Sequence, residues 1–302
     1  MANTIGWGSG AANNSIGWGK GKTNNAIGWG SVYSSSPGGE TDISGTPAGD
    51  ADANAFIAAA AITDTTQKDA IDKLVVDLKN YGIWTKMKAI YPFIGGTSTQ
   101  HKYNLRNPLD TDAAFRLVFN GGWTHSSTGA LPNGTNSWAN SFLNPSTKLT
   151  INNTHLSFYS RTQDTSKNGV DMGADSLNAN FALTSYYSAL STGLSVQYIY
   201  PEHTAIGYSA STRGFFIGSR ANITTNKLYR NTAILGTDST TQSRLLPTSN
   251  VGIGANNIAG APTEYQNHEC AFSSIGDGLT DTEAANYYTA VQTFQTTLSR
   301  NV

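Results

Sequence analysis

The runs His155-Leu156-Ser157-Phe158-Tyr159-Ser160 and Gly214-Phe215-Phe216-Ile217 are short, apolar or alternating, and bounded by turn-forming residues. The same grammar recurs at Ala114–Phe119, Phe181–Leu183, Ser195–Ile199 and Ala233–Leu235. Between these runs lie Asn120-Gly121-Gly122, Pro132-Asn133-Gly134 and Lys167-Asn168-Gly169, where Gly and Asn accept the backbone angles that close a turn. Strands at this spacing, with no helix between them, predict an antiparallel sandwich or jelly roll from about residue 95 to Cys270.

Helical periodicity brackets this region. Ala53–Ala61 reads as a short alanine-rich helix anchored by Phe56 and Ile57. Asp64 and Gln67 stand at capping positions ahead of Ile71, Leu74, Val75 and Leu78, which fall on one helical face, and Gly82 follows as a stop. Ile83, Trp84, Met87, Ile90, Tyr91, Phe93 and Ile94 supply an apolar surface for that stripe. At the far end, Thr280 and Glu283 form a capping box. Ala284, Tyr287, Val291, Phe294 and Leu298 make the apolar stripe of a helix over 280–298, and Arg300 is placed at the negative end of its dipole.

Ahead of all this, Asn-x-Ile-Gly-Trp-Gly occurs three times, beginning at Asn3, Asn14 and Asn25. An 11-residue period can suit a helix, but the glycines of each repeat disfavour one. Glycine on both sides of an indole lets a partner surface approach while the ring fills a pocket. Burying one Trp is worth roughly 5 kcal/mol at most, and ordering the Gly and Asn costs a comparable amount. One repeat alone would therefore hold weakly, and three tethered copies tightly. Ile5, Trp7, Ile16, Trp18, Ile27 and Trp29 are the expected anchor residues. The competing reading is a glycine-rich mini-sheet packed on the chain's own globular part. The expected organisation is a repeat anchor over 1–36, a Pro/Gly linker over 37–50, a helical segment over 51–94 and the sandwich with its terminal helix over 95–302.

The composition narrows the function. Among 302 residues only 13% are charged and the formal net charge is −1, which argues against nucleic acid held on a basic face. Hydrophobic residues reach 38%, too many for a disordered chain. A single cysteine, Cys270, excludes an internal disulfide and a Cys-based zinc site. No apolar run is long enough to span a membrane, and no signal peptide is recognised, so synthesis in a cytoplasm is expected.

The stretch Ile275-Gly276-Asp277-Gly278-Leu279-Thr280-Asp281-Thr282-Glu283, continued by Thr289-Ala290-Val291-Gln292-Thr293-Phe294-Gln295, resembles the closing segment of concanavalin A-like (laminin-G-like) jelly-roll domains. It is similar to versions carried by structural proteins of tailed bacteriophages that infect Bacteroidetes-type bacteria. Gly82–Pro92 and Asp112–Ser126 resemble the opening of those domains, so the resemblance covers roughly residues 50–302. It implies a mainly β fold, a concanavalin A-like jelly roll with two N-terminal helices and one C-terminal helix, preceded by an extended Gly/Trp repeat segment. It also implies a place on a virion and self-association, a trimer first and a dimer next.

Residues for catalysis are sparse. No carboxylates stand in the Glu-x-Asp-x-x-Glu spacing of sandwich glycosidases, and hydrolysis needs two in register. Asp110 and Asp112 read as a solvated loop pair. His101, His125, His155, His203 and His268 are scattered, Gly-x-Ser-x-Gly is absent, and Gly252-Ile253-Gly254 reads as a turn. Cys270 reads as a quiet core thiol. No cofactor or metal is expected. Aromatic rings near amides and hydroxyls suit sugars, so Trp123, Trp138 and Tyr200 are candidate glycan-binding residues, with Tyr186, Tyr187, Tyr198 and Tyr208 beside them. Core packing or contact between subunits is the competing reading of these rings. The leading expectation is a non-enzymatic head-fibre, decoration or tail-fibre protein, anchored to capsid, portal or tail proteins through residues 1–36. A lectin-like adhesin for a host surface glycan comes second and a glycan-degrading enzyme third.

Overall fold

A computed structural model describes residues 49–176, 179–187, 194–199, 202–239, 241 and 245–302. The anchor residues Ile5, Trp7, Ile16, Trp18, Ile27 and Trp29, and the linker to Ala48, lie outside the described residues. So does Tyr200.

In chain order, helices α1 (Ala51–Ala59) and α2 (Thr65–Asn80) precede strand β1 (Met87–Tyr91) and the short helix α3 (Ser98–His101). Four short strands follow: β2 (Val118–Asn120), β3 (Trp123–Ser126), β4 (Gly129–Pro132) and β5 (Trp138–Asn140). After the turn α4 (Pro145–Lys148) come β6 (Thr154–Ser160), β7 (Met172–Ser176), β8 (Ala179–Tyr187), β9 (Leu194–Ile199) and β10 (Glu202–Tyr208). Next are β11 (Gly214–Asn222), β12 (Thr225–Arg230), β13 (Ala233–Asp238), β14 (Gly252–Ile253), β15 (Asn256–Ile258) and β16 (Ala261–Thr263). The chain closes with β17 (Cys270–Gly276) and α5 (Asp281–Thr297).

Among the described residues these strands form two sheets. One has the order β13-β12-β11-β6-β17-β4-β3, with β1 also on β17; the other runs β10-β9-β8-β7-β14-β5-β2, with β15 and β16 beside β7. All pairings are antiparallel except β15 with β7. The expected antiparallel sandwich with helices at both ends is the observed fold.

Alternation along the central strands divides the core in two. Leu156 and Phe158 of β6, Phe216 of β11 and Ile275 of β17 turn into the space between the sheets, where they meet Met172, Phe181, Leu183 and Ile253. Tyr159, Phe215, Ile217 and Phe272 point the other way, onto Ile71, Leu74, Val75 and Leu78 of α2 and Tyr287, Val291 and Phe294 of α5. The first sheet is thus covered on both faces, which is why every residue of β6 and β17 is buried.

The helix ends follow their sequence signals. The Asp64 carboxylate accepts from the Gln67 N–H at 2.8 Å, and Gly82 takes φ +70° beyond the end of α2. Thr280 and Glu283 cap each other: Glu283 N–H donates to Thr280 Oγ1 at 3.3 Å, and Thr280 N–H donates to Glu283 Oε2 at 2.8 Å.

Three expectations are corrected. The sheet begins before residue 95, because Met87–Tyr91 of the expected helical segment pairs with Gly276–Ser273. Ala114–Phe119 is not one strand: a 3-10 turn covers Asp112–Ala114, Phe115 sits at φ +61°, and pairing starts only at Val118. Leu298 follows α5 partly buried, packed against the helix-side core rather than within it. Arg300 stands at the C-terminal end of α5, as expected, and is buried there, 1% exposed.

The Arg300 guanidinium uses all of its N–H groups. Nε donates to Gln295 Oε1 at 2.6 Å, Nη1 to the carbonyls of Phe93 at 2.8 Å and Ser127 at 3.4 Å, and Nη2 to those of Pro92 at 2.7 Å and Ala271 at 2.9 Å. No carboxylate among the described residues pairs with it, and burial, with Arg161 nearby, pulls its pKa down to about 9. Removing this side chain leaves buried carbonyls without donors. Arg300→Ala should therefore destabilise the protein by about 3 kcal/mol or more, and Arg300→Met, which restores bulk but no donors, should recover little. Denaturant melts of the three proteins check this.

Candidate functional site

The outer face of the second sheet carries a polar cluster that the core does not explain. In β7, Met172 and Ala174 face the core, so Gly173 and Asp175 face outward. Asp175 stands opposite Asn180 across the β7–β8 ladder. On the other side of β7, Asn256 lies beside Gly173. The β15–β16 hairpin then brings back Glu264, which is exposed and held at φ +51°.

Two amides hold the two carboxylates. Asn180 Nδ2 donates to Asp175 Oδ2 at 3.3 Å, and Asn256 Nδ2 donates to Glu264 Oε2 at 3.0 Å. The amide oxygens of both asparagines are turned into the protein and have no hydrogen-bond partner. Asn256 Oδ1 lies only 3.0 Å from where a Cβ on Gly173 would be. Glycine is required there to admit the amide. Among the described residues neither carboxylate has an ion-pair partner. Asp175 titrates above the ordinary carboxylate range, first because it is partly desolvated and second because Glu264 carries the same charge; the Asn180 bond opposes both. The cluster is therefore a surface of hydrogen-bond acceptors with uncompensated negative charge. It can take ligands that bring N–H or O–H donors.

The aromatic candidates do not converge. Trp123 turns into the sandwich: its Nε1 donates to the Asn120 carbonyl at 3.0 Å, its ring meets Phe119 edge-on at 5.3 Å, and its far edge lies against Gly254 and Pro132. It is a packing residue. Trp138, half-buried, flanks the inward Ala139 and so shares the outer face with Asp175. The ladder places it two strands away, roughly 15 Å from Asp175 by strand geometry. The backbone of Tyr198 stands opposite Ala182, the neighbour of Asn180 but one. Asp175, Asn180, Asn256 and Glu264 carried no sequence signal, because they come from three separate strands and a turn.

The histidines that the fold gathers are structural. His155 Nδ1 donates to the Asp277 carbonyl at 2.6 Å. Its Nε2 accepts from Ser274 Oγ at 2.8 Å, which in turn accepts from Tyr287 OH and Ser157 Oγ, both at 2.7 Å. Every polar atom of this network is used only if the ring is neutral, and burial pushes its pKa down to about 4.

Ser185, His268 and Asp171 also meet, but not as a nucleophilic relay. Ser185 Oγ and Asp171 Oδ1 share His268 Nδ1, at 3.0 and 2.8 Å, while Nε2 faces the Asp164 carbonyl at 3.1 Å. A relay needs the serine on the nitrogen opposite the carboxylate. Both ring nitrogens here face acceptors, so both carry protons. Burial opposes this charge, and Asp171 more than restores it, holding the pKa above the ordinary value.

His101 is a third buried ring. Its Nε2 accepts from Gly96 N–H at 3.2 Å and its Nδ1 donates to His125 Nδ1 at 2.9 Å, and burial drives its pKa to about 3. Cys270 is buried with its thiol pushed well up in pKa, in accord with an inert core residue. Asp110 and Asp112, as expected of a surface pair, are held by Arg116, with Lys102 on Asp110.

No family model matches the chain, and no curated protein matches it. Solved structures similar to it include domain 4 of AbnA, a GH43 extracellular arabinanase from Geobacillus stearothermophilus, in complex with arabinotriose. The identity is 13%, over 67% of this chain and 98% of that one, with a TM-score of 0.47. A mutant of Trypanosoma rangeli sialidase displaying trans-sialidase activity is 10% identical over 74% of this chain, with a TM-score of 0.48; the match spans only 39% of the sialidase. Ruminococcus gnavus IT-sialidase CBM40 is 15% identical over 44% of this chain and 80% of its own, with a TM-score of 0.31. At these identities and scores nothing about ligand or activity passes from those proteins to this one.

The two histidine sites predict opposite pH responses. His155 titrates lower in the folded chain than unfolded, so unfolding takes up a proton below about pH 6.5. His155 should account for a fall in stability on the order of 3 kcal/mol as pH drops from there to about 4, and His101 adds to it in the same direction. His268 titrates higher when folded, so its contribution is complete below the unfolded value near 6.5 and is lost as pH rises through the folded one. Denaturant melts across this range should show both limbs, and Asp171→Asn should remove the alkaline one alone.

Proposed function

We propose that the folded part of this chain is a non-enzymatic sugar-binding jelly roll, displayed by a repeat-bearing N-terminal segment. The observation that carries the reading is the outward cluster of Asp175 and Glu264, each fixed by an asparagine amide and free of any described cation. Carboxylate oxygens held in this way accept hydrogen bonds from adjacent sugar hydroxyls at no ordering cost to the protein. Trp138 on the same face adds an apolar platform for a further sugar unit. No catalytic step is placed here: the two carboxylates serve as fixed acceptors, and Ser185 is turned away from a nucleophilic role.

Binding of the full-length protein to immobilised oligosaccharides tests this. Asp175→Ala and Glu264→Ala should each weaken binding at least tenfold with the melting curve retained, and Trp138→Ala by less. Trp123→Ala should lower stability rather than affinity at equal folded concentration. Retained affinity in the Asp175→Ala, Glu264→Ala double variant would overturn the assignment.

A second reading concerns where the domain is displayed. What supports a phage particle is the sequence: three Ile-Gly-Trp-Gly copies suited to repeated docking, and the resemblance to virion jelly rolls. In this reading residues 1–36 hold capsid, portal or tail proteins through Trp7, Trp18 and Trp29. Single replacement of these tryptophans should weaken attachment in graded steps, and deletion of 1–36 should abolish incorporation while the domain still folds. Particles that carry the truncated protein at normal copy number would sink the tether.

Self-association, a trimer before a dimer, belongs to the same proposal. From Ala284 to Thr297, α5 carries no charge, and Tyr288, Thr289, Gln292, Thr293, Thr296 and Thr297 line a shallow groove of about 330 Å³ on it. A second copy is the occupant that an uncharged face of this kind suits, because α2 in the same layer shows Lys68, Asp69 and Lys73 at its surface. Sedimentation of the intact protein well above micromolar concentration should show an oligomer that Thr293→Glu disperses; a monomer there would rule the contact out.

A further inference from the structure

We infer that His101 and His125 form an acid-released latch on the turn at residues 95–101: a proton taken up by His125 deprives the Gly96 N–H of its acceptor. The inference is independent of the sugar-binding and attachment readings above. Three observations carry it.

The first is a chain of nitrogens whose protons have one arrangement. The Gly96 main-chain N–H can only donate, and it points at His101 Nε2, 3.2 Å away. That nitrogen must be bare, so neutral His101 carries its proton on Nδ1. His101 Nδ1 lies 2.9 Å from His125 Nδ1, which must accept, so neutral His125 is protonated on Nε2. A second proton on His125 can go only to Nδ1, where it meets the N–H of His101. Moving the His101 proton to Nε2 relieves that clash and sets it against the Gly96 N–H instead. Either way two donors face each other, and a hydrogen bond of the chain is lost.

The second is where the proton enters. His101 is 1% exposed, with the Phe93 ring edge-on at 5.6 Å. Burial, with His125 and Arg300 nearby, keeps it neutral down to about pH 3. His125 is only partly buried, against Phe119 and Trp123, so it is the ring that acid reaches first. Nothing around the pair offsets the new charge. The segment after α5 brings Arg300, itself a cation. Lys102, next to α3, is paired with Asp110. On the β3–β4 turn Thr128 donates to Glu269, which Arg161 holds. Beyond Ala130, the cross-strand partner of His125, the Cys270 thiol stays neutral.

The third is what the imidazole holds. The N–H groups of Gln100 and His101 close α3 onto the Thr97 carbonyl and leave Gly96 outside that turn of helix. The His101 ring is what ties Gly96 back to it. Gly95 and Gly96 stand at φ +101° and +115°, and a Cβ on Gly96 would lie 3.1 Å from Ser127 N. The latch therefore also seats the turn against β3–β4. Burial holds His125 below the ordinary histidine value. The latch is thus complete above about pH 6.5 and is lost as pH falls through the folded-state value.

The test is amide hydrogen exchange of the intact protein by NMR at pH 7.5 and 5, corrected for the intrinsic pH dependence of exchange. The Gly96 amide should lose protection at least tenfold more than the amides of β6, which report the general loss of stability carried by His155. His125→Gln keeps an acceptor beside His101 and takes up no proton, so in that variant Gly96 should follow β6. Imidazole nitrogen shifts of the unaltered protein at pH 7.5, which need no variant, should place the protons on His101 Nδ1 and His125 Nε2. Gly96 following β6 in the unaltered protein, an undiminished extra loss in His125→Gln, or the opposite tautomers would each overturn the latch.

Discussion

One side chain closes this fold. The Arg300 guanidinium sits in the interior beyond the last helix and donates to Gln295 and to the main-chain carbonyls of Pro92, Phe93, Ser127 and Ala271. Those carbonyls belong to the segment after β1, the β3–β4 turn and β17. The segment after α5 is thereby fastened to the segment after β1, some two hundred residues earlier, through groups that secondary structure leaves unpaired. A buried cation without a counter-ion is costly, and what offsets the cost here is complete use of its donors. The ring of Phe294 lies 5.1 Å away and adds a cation–π contact.

Arg300 is one instance of how this protein handles polarity. Its central strands are covered on both faces, so polar atoms on β6 and β17 must find partners inside. His155, Ser157, Ser274 and Tyr287 do so as one chain of donors and acceptors linking α5 to the first sheet. Asp171 and His268 do so as a charged pair that ties the 161–171 loop to the approach of β17. These networks resemble catalytic groupings by residue type, and their geometry assigns them to structure. The second sheet is different: Gly173, Ala182 and Thr184 on the outer side of β7 and β8 are buried, and Asp175 and Asn180 at the end of that ladder are partly exposed. That is where two carboxylates stand without cations, and where recognition is proposed.

In the function proposed above, attachment and recognition are separate, and that division suits the low charge of the chain. Repeats that dock through indoles need no charge, and a domain that reads hydroxyls through fixed acceptors needs only a few carboxylates. Each element can then vary without disturbing the other.

The sequence by itself determined the class of fold. Periods of hydrophobicity are local, so the α2 and α5 stripes, the Asp64 and Thr280 caps and the strands β6, β8, β9, β11 and β13 were legible from residue order. It also marked Cys270 as inert and Asp110 and Asp112 as surface groups. Tertiary structure alone decided the rest. Ala114–Phe119 reads as a strand because its residues are apolar, yet Phe115 turns inward through a left-handed angle to meet the sandwich. Arg300 reads as a dipole partner because it follows a helix, and only the folded chain brings it the carbonyls of residues some two hundred positions earlier. Trp123 and Trp138 look equivalent in sequence, and opposite faces of two different sheets make one a packing residue and the other a surface one. Asp175, Asn180, Asn256 and Glu264 form a site only through strand register, and register is set by pairing across the sheet, which no local pattern records.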